Sequence, residues 1–74
     1  MKTFTITDEF IPLIQLLKVT RIAQSGGEAQ TFVVQNIVKV NGQIETRKRA
    51  KIRHGDIVSC LGKEILVQVS VSKE

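Results

Sequence analysis

Apolar and polar positions alternate over Thr3-Phe4-Thr5-Ile6, and this β-branched and aromatic run predicts a short strand. Thr7-Asp8-Glu9 breaks it. The period then lengthens: from Pro12 to about Val19 the apolar residues 13, 14, 16 and 17 form a helical stripe of about two turns. Pro12 is expected at or near the first helical position, where its missing N–H is not needed. Leu13, Leu16 and Leu17 are expected in the core, and Lys18 closes the helix at the negative end of its dipole. Residues 20–24 form a connection. Ser25 is a candidate N-cap for a second helix, with Gly26 and Gly27 next and Glu28 completing a capping box. Ala29, Phe32 and Val33 give that helix its buried face, Val34 broadens it, and Asn36 falls where a left-handed terminating residue is expected.

Two hairpin strands follow at roughly 37–41 and 43–46. Asn41-Gly42 joins them, because both central positions of a type I′ turn need positive φ. If 47–53 is also extended, Arg47, Arg49, Lys51 and Arg53 share one face at about 7 Å intervals, with Lys48, Ala50 and Ile52 on the other. Ala50 and Ile52 then point to the core. His54-Gly55-Asp56 is a turn. Residues 57–61 and 64–71 are two further strands joined through Gly62-Lys63, the second alternating at Ile65, Val67, Val69 and Val71. The last three residues are expected to fray. The pattern describes a single α+β domain over residues 1–74.

Charge sharpens the picture. The chain of 74 residues carries a net charge of +4, with a pI near 9.7. Residues 1–34 are neutral, so the whole excess lies in residues 35–74. Arg47, Lys48, Arg49, Lys51 and Arg53 place five cations in seven residues. That density costs self-repulsion unless an anion answers it, so the stretch reads as the floor of a nucleic-acid site. Gly26 and Gly27 leave backbone N–H groups accessible to a phosphate at the second helix start, and they equally suit a tight turn between helices. Asn41 could donate to a 2′-hydroxyl, although its role in the turn comes first. Phe4, Phe10 and Phe32 all read as core, and the chain has no Tyr or Trp. Without aromatic platforms for single strands, structured RNA read by shape and backbone is the expected partner.

Other chemistry finds little support. The single Cys60 excludes an internal disulfide or a multi-thiolate zinc site, and its apolar neighbours give it the role of a small buried hydrophobe. His54 is the only histidine, and Asp56 two residues on suits a turn better than an acid–base pair. No nucleophile elbow, paired carboxylates or nucleotide-cradling loop is present, so neither catalysis nor a cofactor is expected. With no leader, lipidation motif or long apolar run, the chain is expected to be cytoplasmic, reduced and monomeric.

The order Ser25-Gly26-Gly27-Glu28-Ala29, Val38-Lys39-Val40-Asn41-Gly42 and Gly55-Asp56-Ile57-Val58 resembles the αL RNA-binding motif. That motif is shared by ribosomal small-subunit protein S-four, pseudouridine synthases and tyrosyl-tRNA synthetases. With Glu45-Thr46-Arg47-Lys48-Arg49-Ala50-Lys51-Ile52, the chain is more closely similar to the stand-alone small bacterial branch, the YbcJ-like proteins. The match covers roughly residues 10–68. It implies two short packed helices against a small, strongly bent antiparallel sheet, with RNA on the second helix start and the basic hairpin after it. Ribosomal RNA is the family-level expectation. Carried over, the contacts are Lys18, Ser25, Gly26, Gly27, Lys39, Asn41, Arg47, Lys48, Arg49 and Lys51, and Arg53 completes the basic run. Gly26 stands where the wider family often has Arg, and Gln30 where the branch commonly has a basic residue. Both departures move the expected load to residues 47–53.

Three rivals remain at this level. Double-stranded DNA is a weaker partner on the same surface. A protein-interaction adaptor could use the same basic face toward an acidic protein. The C-terminal half also resembles ubiquitin-like sulfur carriers, which need a terminal Gly-Gly; this chain ends Val71-Ser72-Lys73-Glu74.

Overall fold

The structure is a computed structural model that describes residues 1–70. Its elements run β1 (Lys2–Ile6), β2 (Phe10–Pro12), α1 (Leu13–Val19), α2 (Gly26–Val34) and β3 (Val38–Val40). They continue with β4 (Gln43–Ile44), β5 (Lys51–Arg53), β6 (Ile57–Cys60) and β7 (Lys63–Val69). Two helices thus accompany a five-stranded sheet of order β1-β7-β6-β3-β4 and a separate β2-β5 ribbon. The α+β class is as expected. The sheet is antiparallel throughout except at β1, which pairs in parallel with β7, Phe4 opposite Val67. A parallel pair needs a long crossover, and nearly the whole chain supplies it.

Each helix end has an identifiable cause. Pro12 is the N-cap of α1 and at the same time the last residue of β2, one place before the expected N1 position. Ser25 Oγ caps α2 by accepting the Glu28 N–H at 3.1 Å. The reciprocal arm of the expected capping box is displaced: Glu28 Oε1 accepts the Gln24 N–H at 2.6 Å. Asn36, at φ 62°, ends α2 in a Schellman motif, its N–H donating to the Val33 carbonyl and that of Ile37 to Phe32.

The core joins Leu13, Leu16 and Leu17 of α1 and Ala29 and Val33 of α2 to the inward residues Val38, Val58, Cys60, Ile65 and Val67 of the sheet. Register explains their meeting, since Val38 stands opposite Cys60 and Val58 opposite Ile65. Ile11 and Ile52, paired across the ribbon, and Ala50 close the remaining side. Val34 does not broaden the buried face of α2; it is 64% exposed. All three Phe are half-buried, Phe4 and Phe32 against the core and Phe10 away from it.

Two turns differ from expectation. The β6–β7 hairpin turns at Leu61-Gly62, one place earlier than Gly62-Lys63, with φ of 54° and 78°. Its geometry matches the expected Asn41-Gly42 turn, at 54° and 85°. Residues 47–50 form no strand. They make a turn closed by the Ala50 N–H on the Arg47 carbonyl, and extended pairing resumes only at Lys51. Val71 and the three residues expected to fray lie outside the described residues. Among those described, no helix is long and apolar enough to cross a membrane.

Candidate nucleic-acid interface

The basic run is built from a turn and a strand, so its cations do not share one face. Three further hydrogen bonds fix the turn: Glu45 N–H to the Val38 carbonyl, Arg47 N–H to Glu45 Oε2, and Leu13 N–H to the Ala50 carbonyl. The last bond fastens the basic turn to the first residue of α1. Lys48 and Arg49 stand exposed at its tip, while Lys51 and Arg53 point outward from β5, because the alternating Ala50 and Ile52 are buried.

Arg47 is already answered. Its Nε and a second guanidinium nitrogen donate to the two carboxylate oxygens of Glu45 at 3.0 and 3.2 Å. This is the one ion pair found among the described residues. The hydrogen bond from Arg47 holds the Glu45 carboxyl below the usual carboxylate range, and Glu45 in turn raises the guanidinium pKa. The pair removes net charge from the cluster and leaves Lys48, Arg49, Lys51 and Arg53 as its uncompensated part.

A groove of about 500 Å³ organises what remains. Phe10, Pro12 and Ile14 enter it from β2 and α1, Gln30 from α2, and Lys48, Arg49 and Lys51 from the turn and β5. The start of α2 lies beside it, since a Cβ on Gly26 would meet Ile14 Cγ2 at 3.8 Å. A Cβ on Gly27 would meet only Ser25 Oγ, at 3.9 Å. Neither glycine is required by a close approach within the protein. Their N–H groups, at the first two helical positions, have no intrahelical acceptor. Gln30 of α2 and the basic turn thus line one concavity, and Gly26 adjoins it through Ile14.

The other expected contacts lie apart from it. Lys18 lines a second depression with Arg21, Ala23 and Gln24, next to Ser25. Lys39 is exposed on β3 opposite Ile44 and Ser59. Asn41 is committed to structure: its Oδ1 accepts the Ile57 N–H at 2.9 Å and its Nδ2 donates to Asp56 Oδ1 at 3.0 Å. One amide N–H of Asn41 remains for a ligand. The His54-Gly55-Asp56 turn is equally engaged, with His54 Nδ1 accepting the Val69 N–H and Asp56 Oδ2 the Arg53 N–H.

Two residues escaped the sequence reading. Arg21 ends α1 at φ 64° and adds a cation beside Lys18; its place just past the last helical turn was the available signal. Phe10 does not join the core. Lys51 Nζ lies 4.9 Å and Arg53 Cζ 5.7 Å from its ring centroid. The signal here was alternation around Ile11, which sends Phe10 and Pro12 to the opposite face from a buried neighbour.

Comparison with known proteins agrees with this architecture. A family model described as the S4 domain matches residues 4–68. YbcJ of Escherichia coli (strain K12) is 38% identical over 68 residues, spanning 90% of this chain and 97% of that protein. The solution structure of YbcJ, described as revealing an αL motif involved in RNA-binding, superposes with a TM-score of 0.71 over 92% of this chain and 87% of its own. A Bacillus subtilis (strain 168) protein named "Probable ribosome maturation protein RlbA" is 38% identical over 58 residues, 78% of this chain and 82% of that one. Ribosomal protein S4e from Thermoplasma acidophilum shares the fold alone, at 19% identity and a TM-score of 0.65 over 78% of this chain and 31% of S4e.

Proposed function

The chain belongs to the S4 domain family, and from that premise we propose that it is a non-catalytic RNA-binding module of the cytoplasm. Its partner is structured RNA, in the first place ribosomal RNA or an assembling ribosomal particle. One observation carries the reading: the uncompensated cations Lys48, Arg49 and Lys51 line a single groove with Gln30 of α2 and Ile14, the residue that Gly26 at the α2 start adjoins. Lys and Arg there neutralise phosphates and release counterions, while the Gly26 and Gly27 N–H groups add backbone donors. The names carried by YbcJ and RlbA support RNA and the ribosome as the setting.

The mechanism is positional. Exposed cations on a hydrogen-bonded turn meet a phosphate backbone with little ordering left to do, and they carry no base-specific information. Arg47 joins only by exchanging Glu45 for a phosphate. Lys18 and Arg21 extend the footprint past the other side of Ser25.

RNA cross-linked to the tagged protein in its native cells, sequenced against RNase-treated controls, tests the proposal. Enrichment of structured ribosomal sites is the expected result. No enrichment above the controls would overturn it in favour of an acidic protein partner on the same face.

A further inference from the structure

Phe10 is the aromatic residue that the core does not use. Phe4 and Phe32 both pack against the buried cluster, while Phe10 sits on the outer face of the β2–β5 ribbon. Its neighbour Ile11 and the cross-strand Ile52 take the inner face. On the outer face Phe10 stands opposite Arg53, and Pro12 opposite Lys51. The two cations lie 4.9 and 5.7 Å from the ring centroid. The ring also lines the groove of about 500 Å³, a size within the range of about 300–1,000 Å³ that small-molecule sites occupy.

We propose that this face is a stacking site for one unpaired nucleobase of the bound RNA, with Phe10 as the platform and Lys51 and Arg53 on the adjoining phosphates. The inference rests on the RNA-binding reading and adds a chemical class to it: a bulged or looped-out nucleotide at the edge of a paired region. A base gains more by stacking on an aromatic ring than an exposed cation gains by resting over it. The arriving nucleotide therefore displaces Lys51 and Arg53 from the ring and supplies the anion they then meet. Gln30, the polar side chain that α2 contributes to the groove, is placed to hydrogen-bond a base edge. A ring with a structural role alone would bind a fully paired and a bulged RNA alike.

The test compares three probes by fluorescence anisotropy at fixed salt: a blunt RNA duplex, the same duplex with a single-nucleotide bulge, and the bulged duplex with an abasic site at the bulge. Binding of the bulged duplex about tenfold tighter than of the other two is expected. Phe10→Leu should reduce the bulged duplex to the level of the blunt one, and Phe10→Tyr should keep the preference. Equal binding of the intact and abasic bulges by the unaltered protein would overturn the stacking site and leave the RNA-binding reading standing. Retention of the preference by Phe10→Leu would do the same. Failure to bind any of the three probes would remove both.

Discussion

Asn41 Nδ2 donates to Asp56 Oδ1 at 3.0 Å, across fifteen residues of sequence, and so ties the β3–β4 turn to the turn that precedes β6. The same Asn41 accepts the Ile57 N–H, and the same Asp56 accepts the Arg53 N–H at the end of β5. Two side chains thus connect the hairpin, the basic strand and the central strand β6.

This link can be weighed by a double-mutant cycle. Asn41→Gly keeps the positive φ of the turn and deletes both side-chain bonds, and Asp56→Ala deletes the partner. Each should destabilise the fold by about 1 kcal/mol, with a coupling of roughly 0.5–1 kcal/mol between them. Urea unfolding of the four proteins measures it, and strict additivity would show the two turns to be independent.

Glu45 gives the stability a pH dependence of known sign. Its folded carboxyl titrates below the ordinary value because Arg47 donates to it. Stabilisation from this source is complete above the unfolded pKa and is lost as pH falls through the folded one. Glu45→Gln should flatten the acid limb of the urea midpoint between about pH 6 and pH 3. The same variant releases Arg47 and should tighten RNA binding near neutrality, whereas Arg49→Ala should weaken it. A Glu45→Gln protein with unchanged acid limb and affinity would remove the ion pair from both accounts.

Gly27 separates folding from binding. A methyl group there meets only Ser25 Oγ at 3.9 Å, and alanine reduces the freedom of the unfolded chain. Gly27→Ala should therefore stabilise the fold by about 0.5 kcal/mol. If the α2 start receives a phosphate, the added methyl should at the same time weaken RNA binding. A melting curve and a binding isotherm on one variant read both. A gain in both properties would exclude the α2 start from the interface.

Leu61 is a bulky residue held at φ 54° and 59% exposed. Left-handed backbone costs such residues roughly 1–2 kcal/mol, and Asn is the better occupant of a type I′ turn. Leu61→Asn should raise the unfolding free energy by about 1 kcal/mol. Thermal denaturation checks it, and a lowered melting temperature would reveal an apolar contact of Leu61 that outweighs the strain.

What the sequence disclosed depends on range. Ser25, Asn36 and Asn41-Gly42 act within four or five residues, so their caps and turn were legible in the residues alone. Leu13, Leu16 and Leu17 were legible because a helical stripe has a single way to face a core. The turn at Arg47–Ala50 was not, because Leu13, whose N–H fastens the Ala50 carbonyl, reaches it only in the folded chain. The placement of half-buried Phe10 on the outer face of the ribbon depends on the pairing of β2 with β5, and the Leu61-Gly62 turn on a residue that local preference argues against. The parallel partnership of β1 had no local signal at all. At the site, the cations and glycines were found by composition and spacing, while the gathering of Lys48, Arg49 and Lys51 around one groove with Phe10 and Gln30 belongs to the tertiary structure.

That partnership has a kinetic consequence. Phe4 is made before Val67 and must wait for it before it has a neighbour in the sheet. Pairing of such distant segments meets the largest loop-closure cost in the molecule and sets a slow step in folding. During synthesis β1 has no strand partner until β7 is made, while the other strands and the helices do not depend on it for pairing. Closure of the sheet is then timed by translation of β7, so β1, made ahead of its partner, is seated only after it.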